Sequence, residues 1–137
     1  MINITLFSQI ISKLDTSKLK KLVKSHQSDK YQKGFDSSSH LVSMLFCQFA
    51  KSQSLRDISN GLRSATDNLN HLGMLNAPSK STVGYQNKNR SWELFRDYYY
   101  VLLEGLGQQA HMNKLSHATV KSICEHPYFF SDYWTKY

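Results

Sequence analysis

The chain has 137 residues, with 17 Lys and Arg against 10 Asp and Glu, a formal charge of +7 with neutral His and a pI near 9.4. Its 40% hydrophobic content suits one folded domain with a modest core and excludes a largely disordered chain. The basic balance favours a polyanionic partner, nucleic acid ahead of an anionic membrane surface. Cys47 and Cys124 are far apart and make no disulfide framework, so the expected compartment is a reducing cytoplasm. No apolar run approaches the roughly 20 residues of a membrane span. The opening "MINITLFSQIISKLD" lacks the basic start, apolar block and cleavage site of a signal peptide.

In chain order, Leu6, Ile10, Ile11 and Leu14 recur at helical spacing and predict a first amphipathic helix. Asp15 or Thr16 is a cap for the next, whose Leu19, Leu22 and Val23 share a face opposite Lys18, Lys20, Lys21 and Lys24. The stretch "QSDKYQKGFDSSSH" reads as a loop, with a helix starting near Ser37 or Ser38. "LVSMLFCQFA", residues 41–50, is the most apolar run and predicts a buried central helix with Cys47 as a small core residue. Ser54 precedes Leu55, Ile58 and Leu62, and Asp57 stands where a capping-box acid belongs; Gly61 predicts fraying at this helix's end. Residues 66–76 read as irregular chain or a single turn. Pro78 is a break, and Ser79 a cap for a polar helix. Ser91 caps a last one, in which Trp92, Phe95, Tyr99, Leu102 and Leu106 form a long apolar stripe. With no strand-length alternation, the expected fold is all-α, a bundle of about five or six helices.

The order of helices between 37 and 90, buried, short and capped, then polar after a break, is that of a helix-turn-helix unit. In such a unit the third helix meets DNA. The expected DNA-binding residues are Lys80, Ser81, Thr82, Tyr85 and Asn87, facing bases, with Lys88 and Arg90 near phosphates. Basic side chains from 13 to 33 would add phosphate contacts. The alternative is a solvated surface helix, and the long connector before Ser79 departs from the compact turn of such units.

Other chemistries fit less well. Histidines 26, 40, 71, 111, 117 and 126 show no zinc spacing, and Cys124-Glu125-His126 is contiguous, which seldom converges on one metal. Asp57, Asp67, Asp97, Glu93 and Glu104 have ordinary helical explanations. Tyr98-Tyr99-Tyr100 lacks the Arg and His cluster that a nucleophilic tyrosine needs, so one or two of the three are expected to pack. No cofactor, metal or catalytic residue is expected.

The phrases "NITLFSQIISKLD", "HLVSMLFCQFAKSQSLRDISNGLRSATDNLNHLG" and "APSKSTVGYQNKNRSWELFRDYYYVLLEGLGQQA" together resemble the N-terminal region of transposases of the insertion-sequence-four family, from about residue 2 to 110. The resemblance implies a leading helical domain, residues 1–110, that binds the element's terminal inverted repeats. In the family a ribonuclease-H-like domain with an Asp-Asp-Glu triad follows. Gly84 departs from the family phrase, which has Ser or a similar residue there. Residues 111–137 also depart: "HMNKLSHATVKSICEHPYFFSDYWTKY" has no apolar strand carrying an Asp, and its acids are Glu125 and Asp132. The expectation is therefore a transposase truncated before its catalytic domain, not an enzyme itself. Its partners would be duplex DNA at inverted repeats, and a second copy or a full-length transposase. The rival is a helical interaction module in which the Trp92-to-Leu106 face pairs two subunits and DNA contact is incidental.

Overall fold

A computed structural model describes residues 3–112, save the side chains of Thr66 and 108–112. Among the described residues the backbone is helical, with no strand: α1 Ile4–Ser12, α2 Thr16–His26, α3 Ser37–Phe49, α4 Leu55–Ser64, a 3₁₀ helix Thr66–Leu72, α5 Lys80–Asn89 and α6 Glu93–Met112. The all-α helical bundle is thus what the sequence predicts. The expected boundary at 110 falls inside α6, and the divergent segment beyond Met112 lies outside the described residues.

Side chains fix where the helices begin. Asn3, Asp15, Asp36, Ser54 and Ser79 each accept a backbone N–H from the first turn of the helix they precede. Each such cap satisfies a donor that has no intrahelical partner and contributes about 1 kcal/mol. At α4 the capping-box acid reaches one residue further back than usual: Gln53 N donates to Asp57 Oδ2 at 3.2 Å. The start of α3 belongs to Asp36, one residue earlier than the serines marked for it.

One core gathers Phe7 and Ile11 of α1, Val42 and Phe46 of α3, Ile58 and Leu62 of α4, the 3₁₀ segment and Val83 of α5. The Phe7 ring stands edge-on to Phe46 with centroids 5.7 Å apart. This corrects the expected face of α1. Both Leu6 and Phe7 are apolar, and the larger ring takes the interior while Leu6 stays exposed. On α6 the expected stripe is also rotated. Leu94, Phe95 and Tyr98 are buried, whereas Trp92 and Leu106 are exposed. The cause is α2, which packs along α6: the Tyr98 hydroxyl donates to Asp15 O at 3.2 Å, and His26 Nε2 lies 2.9 Å from Asp97 Oδ2. Of the three tyrosines Tyr98 packs and Tyr100 meets solvent.

Gly61 does not fray α4, which continues to Ser64. A Cβ at this position would lie 2.6 Å from Phe46 Cε1, so the glycine is what lets α4 approach α3. Cys47 is buried as expected. Helices α3, α4 and α5 pack on one another, the arrangement of a helix-turn-helix-like unit. Residues 65–79, including the 3₁₀ helix, replace the compact turn. They are anchored by the buried Ser59 hydroxyl, which donates to Pro78 O at 2.7 Å.

Candidate nucleic-acid interface

Helix α5 begins sharply because Pro78 interrupts the chain and Ser79 Oγ accepts from Thr82 N at 3.1 Å. At 100° per residue its outward half carries Lys80, Ser81, Gly84, Tyr85, Lys88 and Asn89. Lys80, Ser81, Lys88 and Asn89 are exposed, and so is Tyr85, at 64%. The helix contains no acid. Asn89 was not marked from the sequence; it lies one turn after Tyr85, with its amide donating to Tyr85 O at 2.7 Å. Thr82 is half-buried at the edge of this face, its Oγ1 2.9 Å from Ser79 Oγ.

Two expected contacts face the wrong way. Asn87 turns inward, and its Oδ1 lies 2.6 Å from Nε2 of the buried His40 on α3. An amide held there cannot also bracket a base. Burial pushes the His40 imidazole down to about 4, against the pull of the Asn87 hydrogen bond, so at neutral pH the ring is uncharged. With the Asn87 oxygen accepting, its proton sits on Nε2.

Arg90, expected on a phosphate, is buried instead, at 7% exposure. Its guanidinium donates to Phe35 O at 3.0 Å and to Asp36 O at 3.2 Å, and Nη2 lies 3.4 Å from Asp29 Oδ1. Loss of water lowers its pKa, offset in part by the charges of Asp29 and Asp36. The reason is geometric: residue 90 ends α5 where the chain from 27 to 36 passes beneath it, presenting carbonyls that a fork of donors satisfies.

That passing segment is tied down along its length. Asp29 Oδ1 accepts from Ser37 N at 2.8 Å and from Ser37 Oγ at 2.7 Å. Gln86 of α5 donates through Nε2 to Gln32 Oε1 at 2.8 Å. Gln86 and Arg90 therefore fasten the loop to α5 at two points, one helical turn apart. Neither role is legible from the sequence, which puts Arg90 near a phosphate and gives Gln86 no distinguishing signal.

The lysines of α2, at 18, 20, 21 and 24, and those at 13, 30 and 33 are exposed. Lys18 Nζ lies 3.8 Å from Asp15 Oδ2, a solvent-screened pair. Lys20 and Lys24 border a shallow groove shared with Asp29 and Asp36. No group of three or more His, Cys, Asp or Glu is placed to hold a metal among the described residues. No helix among them is long and apolar enough to cross a membrane.

The fold and this face define an all-helical domain with a helix-turn-helix-like core and one acid-free polar helix outward. The chain belongs to the family described as a domain of unknown function, DUF4372, whose profile matches residues 2–75, more than half of its length. The match spans α1 through the 3₁₀ helix and ends before α5. No curated protein and no solved structure matches the chain.

Proposed function

We propose that this chain is the DNA-binding part of a transposase of the insertion-sequence-four type, recognising the terminal inverted repeats of its element through α5. The carrying observation is the outward face of that helix: Lys80, Ser81, Tyr85, Lys88 and Asn89, with no acid on the helix, presented by a packed α3–α4–α5 unit. Lys and Asn suit base edges in the major groove, and Lys88 suits a phosphate. The sequence phrases shared with such transposases support the same reading. In it the chain binds and positions DNA and does not itself cut or join strands, since phosphoryl transfer by two metal ions needs several converging carboxylates.

The test is a titration of the purified chain against a duplex carrying the element's terminal repeat and a scrambled duplex. Lys80→Ala and Asn89→Ala should lower affinity for the repeat by about 1–3 kcal/mol while affecting the scrambled duplex less. Equal binding of both duplexes by parent and variants would remove the basis for reading α5 as a recognition helix. A second reading draws on Trp92, just before α6, and on Tyr100 and Leu106 along it, all exposed although large and apolar. It makes the chain a dimerisation module, and concentration-dependent sedimentation that Leu106→Asp abolishes would support it.

A further inference from the structure

The loop between α2 and α3 has features that neither the core nor α5 requires. It runs Gln27-Ser28-Asp29-Lys30-Tyr31-Gln32-Lys33-Gly34, with Lys30, Tyr31 and Lys33 exposed. Tyr31 is 88% exposed, although it is a large aromatic residue. Its backbone is left-handed at φ 66°, a conformation that bulky residues rarely adopt. Glycine would sit there without that strain. The Lys30 ammonium lies 5.3 Å from the Tyr31 ring centroid, so the ring and a positive charge are presented together.

The loop is also held. Asp29 fixes its base to Ser37 at the start of α3, and Gln32 and the carbonyls of Phe35 and Asp36 are bonded to Gln86 and Arg90 of α5. Gln86 is buried on the inward half of α5, and the outward residue next to it around the helix is Asn89. The loop bonded there therefore leaves α5 on the Asn89 side of the outward face. Its exposed side chains include two cations, Lys30 and Lys33, with Tyr31 between them in the chain.

We propose that this loop is a second contact to duplex DNA, gripping the backbone beside the segment that α5 meets. Lys30 and Lys33 neutralise phosphates, and Tyr31 packs against the adjoining sugar. The bonds from Gln86 and Arg90 set the spacing between the two contacts, so that loop and helix engage one duplex together. This inference rests on the reading of α5 as a DNA-facing helix, and its test separates the two.

The probe is a labelled random-sequence duplex, titrated with the full chain at several salt concentrations. Each phosphate neutralised contributes about −0.9 to the slope of log affinity against log salt. The double variant Lys30→Ala/Lys33→Ala should make the slope shallower by about two units, and Lys80→Ala/Lys88→Ala by about one, since Lys88 is the phosphate contact of that pair. Lys51→Ala should leave it unchanged, since Lys51 follows the far end of the 13-residue helix α3, about 20 Å along its axis. Tyr31→Gly should weaken binding several-fold at constant slope, with a melting temperature unchanged or raised because the left-handed strain is relieved.

If the loop variant keeps the parent slope while Lys80→Ala/Lys88→Ala loses it, the loop inference falls and the α5 reading stands. The reverse pattern removes α5 and keeps the loop. A drop with Lys51→Ala as large as a single loop lysine's share means diffuse charge, and overturns the inference. A parent chain that does not bind the duplex overturns both.

Discussion

Arg90 joins the end of α5 to the carbonyls of Phe35 and Asp36, with its side chain almost wholly out of water. Arg90→Ala should therefore destabilise the fold by about 2–4 kcal/mol in denaturant melts, because it leaves the Phe35 and Asp36 carbonyls without this donor and Asp29 without the facing positive charge. Arg90→Lys should rescue little, since one ammonium cannot reproduce the fork. His40 gives a pH dependence whose sign follows from burial. Its folded pKa, about 4, lies below the ordinary 6.5, so the unfolded chain takes up the proton first as pH falls. The stability it contributes is full above 6.5 and is lost as pH drops through 4, about 3 kcal/mol in all. Asp15, Glu93 and Asp97 have lowered carboxyl pKa values, so their share is lost further down the scale. Melts between pH 7 and 4.5 should fall steeply for the parent and less for His40→Gln. Neither Asn87 nor Arg90 announces such a role in sequence, because their partners lie 47 to 61 residues away.

Two glycines in helices show why helix propensity alone misleads. Replacing a mid-helix glycine with alanine gains about 1 kcal/mol of propensity. At Gly61 the new methyl would lie 2.6 Å from the buried Phe46 ring, which Phe7 flanks. Overpacking costs about 1–3 kcal/mol, so Gly61→Ala should be net destabilising. At Gly84 the nearest atom is Leu55 Cδ1 at 3.2 Å, the tip of a half-buried flexible side chain. Gly84→Ala should be neutral or stabilising by up to about 1 kcal/mol, and chemical denaturation of both variants checks the contrast. Helix starts were legible in the sequence because a cap acts within three residues, as Ser54 and Ser79 show. Faces were less so. In α1, Leu6 and Phe7 compete for the interior, and in α6 the buried line is chosen by α2, which the periodicity of α6 does not contain.

At the scale of the molecule, α3, α4 and the connector 65–79 form a base on which α5 turns one polar face inward and the other outward. The inward face explains why a polar helix needs so exact a polar composition: Gln86, Asn87 and Arg90 all have partners. The outward face was partly legible, since Lys80, Ser81, Tyr85 and Lys88 lie on it, while Asn87 and Arg90 do not. The proposed role of this outward face is contact with DNA. It is tested most directly by titrating the isotopically labelled chain with a duplex and following backbone amides by NMR. The largest shifts are expected at Lys80, Ser81, Tyr85, Lys88 and Asn89, with a second set at Lys30 to Lys33 and little change along Trp92 to Leu106. Shifts confined to α6, or none on α5 at saturating duplex, would contradict this role.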